Sequence, residues 1–168
     1  MATVRKNLYD FLLGEYAWIQ QESVFFTRGL WQQAGGKINE KYRLMVDGEL
    51  WCRFFRHAPL WQAKVVLSGY RIHHQNRAAL YIRDVHREMD MAIGHLRTEL
   101  PADVLKTAKR LQRLRRIKNW PLKLRIPLAT QDIAKKIFRN TLRKAQYREL
   151  TFSFRSQKWE TRLLDWQI

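Results

Sequence analysis

The residues best suited to chemistry lie in one short run, Asp47-Gly48-Glu49-Leu50-Trp51-Cys52-Arg53. The run follows the pair Gly35-Gly36 and precedes Arg71 and His73. An aspartate has an ordinary pKa of about 3.9, so Asp47 is ionised at neutral pH and is available to accept a proton. The same residue could instead cap a helix. The capping-box pattern would place Glu or Gln at position 50, where the chain has leucine, and residue type alone leaves both roles open.

Short helices and strands must position these side chains. Thr27 is a candidate cap for a helix through residue 33, which Gly35-Gly36 would end. Asp47 would open the next helix, whose buried side comprises Leu50, Trp51, Phe54 and Phe55. Residues 16–26 and 61–73 have the composition of strands. In the second strand Arg71 and His73 would share one face, because side chains alternate along a strand.

The remainder of the chain has helical spacing. From residue 78 to residue 100 the spacing of Leu80, Val85, Met89 and Ile93 is helical. Pro101 suits the first turn of the next helix, whose apolar stripe comprises Leu105, Ala108, Leu111, Leu114 and Ile117. Another helix is predicted over residues 131–146, with Ile133, Ile137 and Leu142 on its apolar side. The predicted fold class is therefore α/β and mainly helical.

The net charge of +17 over 168 residues is unevenly distributed. Residues 106–148 contain 15 Lys or Arg and one acid, Asp132. This shift predicts a boundary near Pro101, between residues 1–100 and a basic helical extension over residues 101–168. Such a chain should be drawn to nucleic acid, acidic lipid or a phosphorylated ligand, and charge alone does not rank the three.

Cysteine content and hydropathy bound the location of the chain. Cys52 is the only cysteine, which excludes an intramolecular disulfide and a Cys-rich zinc site. A single free cysteine fits a reducing compartment. No window of the sequence approaches the ~18 uncharged apolar residues of a membrane span. We therefore expect a cytoplasmic protein, and we also consider peripheral association with the inner face of the membrane.

Four segments follow one another in an order that resembles a known family. They are Ile19-Gln20-Gln21-Glu22-Ser23-Val24-Phe25-Phe26, then Arg28-Gly29-Leu30-Trp31 with Ala34-Gly35-Gly36-Lys37-Ile38-Asn39, then the run that begins at Asp47, and finally Gly69-Tyr70-Arg71-Ile72-His73. Over residues 16–77 the chain resembles the C-terminal half of the catalytic domain of family 2 glycosyltransferases, which has the GT-A fold. The resemblance implies transfer of a sugar from a nucleotide-sugar donor to an acceptor hydroxyl, usually with inversion.

The resemblance also implies roles for individual residues. Asp47 would be the general base, because a hydroxyl is a poor nucleophile until a carboxylate takes its proton. Substrate-binding positions would be Gln20, Ser23, Glu49, Trp51, Arg71 and His73. On a helix Glu49 projects about 200° away from Asp47, so we expect Glu49 to pair with Arg53 at i+4.

Arg71 and His73 would lie near the donor diphosphate. There an arginine neutralises phosphate charge, and a histidine binds phosphate or a metal ion. A salt bridge for Arg71 and a surface imidazole for His73 are equally open alternatives. The resemblance assigns His73 only weakly as a metal ligand.

Only part of the family domain is matched. The family has an earlier nucleotide-binding half with an Asp-x-Asp motif for a divalent metal, Mg or Mn, and about 15 residues precede the matched region here. We expect either a truncated frame, a split half that needs a donor-binding partner, or an inactive relic. Open edges of the strands at 16–26 and 61–73 would favour self-association.

The basic helix after Pro101 has three open interpretations. It could lie on an anionic membrane, with Trp120 as an interfacial anchor. Its apolar stripe could instead pack within the protein and leave the charges in water. Nucleic-acid binding is the third, although aromatic residues do not interleave with the basic run as stacking platforms would. A non-enzymatic module that binds an anionic membrane surface or RNA is therefore the alternative to a glycosyltransferase.

Overall fold

The computed structural model describes residues 6–16, 19–69, 71, 74–119 and 139–164. His73, Trp120, Ile133, Ile137 and the side chain of Ile117, which the predictions above invoke, lie outside this described part. The chain divides into two compact units. The first comprises residues 1–60 and 64–100, and the second comprises residues 61–63 and 101–168.

The described residues of the first unit are helical or irregular. Its helices are α1 (Leu8–Leu12), α2 (Arg28–Gln33), α3 (Val46–Phe54), α4 (Arg77–Leu80) and α5 (Ile82–Glu99), with a short 3-10 turn at Gln21–Ser23. The core forms where α5 packs against α1 and α3. Phe11, Met89 and Leu96 are fully buried there.

Helix α2 begins and ends where its sequence predicts. The Thr27 hydroxyl oxygen accepts a hydrogen bond from the N–H of Leu30 at 3.1 Å, which caps the helix. Gly35 and Gly36 follow its last turn with φ of 99° and 61°, a conformation that strongly favours glycine. The prediction of a capped helix ended by the glycine pair is confirmed.

Helix α3 packs tightly against α5 through Gly48. Leu50, Trp51 and Phe54 are buried as predicted, and Phe55 is half-buried. A Cβ atom at position 48 would lie 2.4 Å from the Met89 sulfur and 3.0 Å from Cε of Met45. The absence of a side chain at Gly48 therefore sets how closely the two helices approach.

Two helical glycines should respond oppositely to substitution by alanine. We expect Gly48→Ala to lower the free energy of unfolding by about 1–2 kcal/mol, because displacing the fully buried Met89 outweighs the gain in helix propensity. Gly94 lies in α5 with no atom within 4 Å of its missing Cβ, so Gly94→Ala should raise that free energy by about 0.5–1 kcal/mol. Urea unfolding of both variants checks the pair, and equal effects would contradict the close approach at Gly48.

Glu88 of α5 holds the chain immediately ahead of α3. Its buried carboxylate accepts hydrogen bonds from the N–H groups of Arg43, Leu44 and Met45, at 3.1, 2.9 and 2.9 Å. These amides would otherwise be unpaired at the start of the helix. Glu88 therefore fixes where α3 begins.

The two predicted strands of the first unit are largely wrong. Residues 21–23 form a 3-10 turn, because the carbonyls of Gln20 and Gln21 accept from the N–H groups of Ser23 and Val24. Among the described residues of the second segment only Trp61–Ala63 is a strand, and it belongs to the second unit. Leu80 does not share one helix with Val85, Met89 and Ile93, because it ends the short α4 and lies exposed before the turn at Tyr81.

The second unit combines helices with a three-stranded sheet. Its elements are β1 (Trp61–Ala63), α6 (Ala102–Asn119), α7 (Arg139–Lys144), β2 (Tyr147–Ser153) and β3 (Lys158–Leu164). The strand order is β1-β2-β3, with β1 parallel to β2 and β2 antiparallel to β3. Helices together with a small mixed sheet are consistent with the predicted α/β class.

Helix α6 buries its apolar stripe within the second unit. It starts directly after Pro101, whose carbonyl accepts from the N–H groups of Val104 and Leu105. Leu111 and Leu114 are fully buried, and α6 packs against α7. The exposed basic side chains of this helix are Lys106, Lys109, Arg110, Arg113 and Arg116. The described part of the stripe at Ala108, Leu111 and Leu114 is thus buried with the charges in water, as the packing interpretation expects.

Candidate active site

Asp47 lies in the first turn of α3 and is half-buried. Met45 occupies the position just before the helix, so Asp47 opens the helix without being its cap. The N–H of Gly48 donates a hydrogen bond to Asp47 Oδ1 at 2.8 Å. The carboxylate therefore has one local backbone partner at Oδ1.

The pKa of Asp47 is raised above its ordinary value. Burial is the main cause, and the negative charge of Glu22 adds to it, while hydrogen bonds from the backbone N–H groups of Gly48 and Asp47 itself oppose the rise. A carboxylate with a raised pKa takes a proton from a hydroxyl more readily than an ordinary aspartate. Burial thus makes the Asp47 carboxylate a better proton acceptor, while the backbone N–H groups still stabilise its ionised form.

The segment before α2 contributes Glu22 and Ser23 to this region. Glu22 is exposed in the 3-10 turn, and its charge acts on Asp47. Ser23 Oγ is hydrogen-bonded to Ser68 Oγ, which ties the turn to the segment after β1. Gln20 directly precedes the turn and is half-buried. Within segment 20–23 the link to Asp47 is therefore the charge of Glu22.

Glu49 has a structural partner inside the helix. Its carboxylate accepts from Arg53 Nε at 3.0 and 3.1 Å, and both residues are largely buried. Arg53 also donates to the carbonyl oxygens of Ala34 and Lys37, so it ties the turn after α2 to α3. The predicted i+4 pair is confirmed, and it braces the helix that presents Asp47.

Trp51 lies one helical turn after Asp47 and is only 5% exposed. Its ring packs against Phe26 and Phe54, with centroid distances of 6.4 and 5.6 Å. Within the described residues its indole N–H has no hydrogen-bond acceptor. A buried donor without an acceptor carries a free-energy cost of about 1–3 kcal/mol, which an incoming acceptor atom would relieve.

Arg71 is exposed and does not lie on a strand. Its carbonyl accepts a hydrogen bond from Asn76 Nδ2 at 3.1 Å, and Asn76 directly precedes α4. His73 lies outside the described residues. The shared strand face predicted for these two residues is therefore not formed at Arg71.

Cys52 is a buried thiol beside this site. Burial, with a smaller contribution from the charge of Glu49, raises the pKa of Cys52 to about 12. We expect the native thiol to react with a disulfide reagent at neutral pH at least about a hundredfold more slowly than after unfolding in urea, because the thiolate is the reactive form. A stopped-flow measurement of both rates checks this, and similar rates would contradict the burial of Cys52.

Glu88 is the important residue that motif reasoning missed. The sequence contains a signal for it, since helical spacing places position 88 on the same face as the buried Val85, Met89 and Ala92. A carboxylate on a buried face requires partners. The backbone amides ahead of α3 supply them.

The described part of the chain also bears on metal-binding clusters and membrane-spanning helices. No group of three His, Cys, Asp or Glu side chains there is arranged to hold a metal ion. None of the described helices is both long enough and apolar enough to cross a membrane.

No protein-family model matches the chain, and neither a curated protein nor a solved structure matches it. The resemblance to family 2 glycosyltransferases therefore stays a prediction from the segments quoted above.

Proposed function

We propose that the first unit is the acceptor-side half of an inverting family 2 glycosyltransferase with a GT-A-like fold, and that Asp47 is its general base. The observation that supports this most directly is the environment of Asp47. Its carboxylate is half-buried at the start of a braced helix, and its pKa is raised by burial and by Glu22.

In the proposed step the acceptor O–H donates its proton to Asp47. The oxygen forms a bond to the anomeric carbon of the donor sugar as the bond from that carbon to the nucleotide diphosphate breaks, and the bonding pair leaves with the diphosphate oxygen. Bond formation on the face opposite the leaving group inverts the anomeric centre. Asp47 is afterwards left protonated and returns its proton to water.

The other residues position this base and the acceptor. Gln20 and Ser23 would bind acceptor hydroxyls, as the family resemblance implies, and they flank Glu22, whose charge acts on Asp47. The Glu49–Arg53 pair keeps α3 in place. Trp51 would supply its free indole N–H to the acceptor or to a chain segment that completes the site. Arg71 and His73 stay proposals for the donor diphosphate.

The divalent metal that the family implies does not fit the described residues, because they contain no group of three ligands. The donor-binding half would have to supply that ion, and no step above depends on it. A nucleotide-sugar donor would likewise be bound mainly by that half.

An amide NMR titration of the whole chain tests the acceptor site without needing a donor. Neutral alkyl glycosides should shift the amide signals of residues 20–23 and 46–48, and Asp47→Asn should weaken that response. Asp84→Asn is the matched control, since Asp84 lies on α5 in a pair with Arg87 at 2.8 Å. Glycosides that perturb no signal near α3 would contradict the proposal.

We propose a second, non-enzymatic role for the other unit, the binding of an anionic partner. Residues 101–168 contain 18 Lys and Arg against five Asp and Glu, a net of +13. The basic side chains of α6 named above are exposed while its apolar stripe is buried. Charge of this size attracts anionic surfaces over distances of about 10 Å at physiological salt.

A further inference from the structure

The sheet of the second unit has two unlike faces. Residues paired across the strands share a face, so Trp61, Arg148 and Leu163 lie together, as do Phe152 and Trp159. We call this the aromatic face; Leu150 also belongs to it, and Phe154 adjoins it in the turn after β2. The opposite face carries Tyr147 and Glu149, which are buried.

The aromatic face is apolar and largely exposed. Phe154 is 82% exposed, Trp159 is 53% exposed and Leu163 is 60% exposed. The two carboxylates of the described strands, Glu149 and Glu160, both lie on the opposite face. Exposed apolar surface of this kind is typical of an interaction site, and here no negative charge interrupts it.

The charge of the unit argues for an anionic occupant. Arg155 is exposed in the hairpin turn, and Arg148 lies on the aromatic face over the Trp61 ring. Lys158 and Arg162 lie on the opposite face. With a net charge of +13 over residues 101–168, a second copy of the chain would be repelled from this surface, whereas an anionic one would be attracted.

The ring geometry favours a lipid surface over a nucleic acid. One side of the Trp61 ring is occupied by the Arg148 guanidinium, 5.7 Å from the centroid. Phe152 meets Phe154 and Trp159 edge to face, with interplanar angles of 87° and 68°. Successive bases stack on accessible ring faces, and these rings present no shared orientation. Trp and Phe at a bilayer interface need no such alignment.

We propose that the aromatic face inserts into the interfacial region of an anionic lipid bilayer, with the hairpin turn at Phe154 entering first and with Arg155 of that turn and Arg148 of the face meeting the lipid phosphates. The inference rests on the proposed anion-binding role of the second unit and is independent of sugar transfer. It places the membrane contact on the sheet, whereas the sequence had suggested the basic helix.

A fluorescent label at Phe154 tests the insertion directly. In the whole chain Phe154→Cys can be labelled selectively with an environment-sensitive thiol dye, because Cys52 is buried and poorly reactive. Phe25→Cys is the matched control, since Phe25 is also 82% exposed but lies in the first unit. On vesicles of phosphatidylcholine with phosphatidylglycerol, the label at position 154 should move to shorter emission wavelengths and the label at position 25 should not.

Co-sedimentation with the same vesicles measures affinity. Phe154→Ser should weaken binding about tenfold, because burying a Phe side chain contributes about 1.5–3 kcal/mol and 1.4 kcal/mol is tenfold. Phe25→Ser should leave binding unchanged. Added salt and vesicles of phosphatidylcholine alone should both weaken binding, since attraction to anionic lipid supplies part of the affinity.

Four results would overturn the inference. Sedimentation of the chain with anionic vesicles without a response at position 154 would leave the anion-binding role intact and reject insertion of the aromatic face. Failure to sediment with any vesicle would reject both. A response at position 154 to poly(U) RNA but not to vesicles would assign the face to nucleic acid. A response that follows protein concentration alone would assign it to a second copy.

Discussion

Replacing Asp47 by asparagine should reduce sugar transfer by about 10²–10⁴-fold, the usual contribution of a general base. The amide keeps the shape of the side chain and an oxygen that can accept the Gly48 N–H, but it cannot take the acceptor proton. The effect should fall on kcat more than on the KM for the acceptor, because proton transfer occurs only in the transition state. Transfer is measured with the complex of this chain and a donor-binding half.

The pH dependence of transfer gives a second readout for Asp47. A base works only when deprotonated, so activity should be lost as pH falls through the pKa of Asp47, which lies above the ordinary aspartate value. The Asp47→Asn variant should lack this acidic limb, and Asp84→Asn should keep it. Near-normal turnover in Asp47→Asn would show that another group takes the proton.

Stability separates this role from a structural one. Because the folded pKa of Asp47 is raised, its ionised form is less favourable in the folded chain than in the unfolded chain, and ionisation contributes no stability at neutral pH. We expect Asp47→Asn to change the free energy of unfolding by less than about 1 kcal/mol. A larger loss would mean that the carboxylate mainly supports the start of α3.

Replacing Glu88 by alanine should cause a large loss of stability, in contrast to the small change expected for Asp47→Asn. The variant removes the shared acceptor of the N–H groups of Arg43, Leu44 and Met45, together with the buried side chain of Glu88. We expect the free energy of unfolding to fall by about 3–5 kcal/mol, a large part of the 5–15 kcal/mol typical of a folded domain. Urea denaturation followed by circular dichroism measures the change.

Glu99→Ala is the matched control on the same helix. Glu99 pairs with Arg56 at 3.0 Å, and both side chains are more than a third exposed, so its loss should cost less than about 1 kcal/mol. A similar effect of the two variants would show that the contacts of Glu88 contribute no more than a surface pair.

The pH dependence of the free energy of unfolding should also report the hydrogen bonds of the Glu88 carboxylate. Burial raises the pKa of Glu88, but hydrogen bonds from the backbone N–H groups of Leu44, Met45 and Arg43, together with the charge of Arg87, lower it below its usual value. A lowered folded pKa gives stability that is fully present above the unfolded value of about 4.3 and is lost as pH falls through the folded pKa. The urea midpoint of the wild type should therefore fall more steeply in acid than that of Glu88→Ala.

The helices around the candidate site follow from short-range signals. Thr27 and the glycine pair at 35–36 fix α2, because capping and positive φ depend on the local chain alone. The spacing of Glu49 and Arg53 likewise predicts their pair. For Asp47 the sequence indicates its position in the first turn of α3, but not the burial or the neighbouring Glu22 that raise its pKa.

The sequence contains no comparable pattern that predicts contacts between distant segments. Residues 16–26 have strand composition, yet the described part of this segment forms turns, because composition does not supply a pairing partner. The β2–β3 hairpin was not predicted, since the buried Glu149 interrupts the alternation of apolar residues that marks a strand. The prediction of self-association remains untested.

The pairing of β1 with β2 affects how the protein is made. Trp61 is aligned with Arg148, 87 positions later in the chain, so β1 leaves the ribosome well before its partner strand exists. At synthesis rates of about 5–20 residues per second, this strand stays without its ladder for several seconds at least. The β2–β3 hairpin can close locally, but the β1–β2 pairing requires a late, long-range closure, which is slow because the entropy of a large loop must be lost first. Until then the backbone groups of the Trp61 segment lack the ladder that β2 supplies.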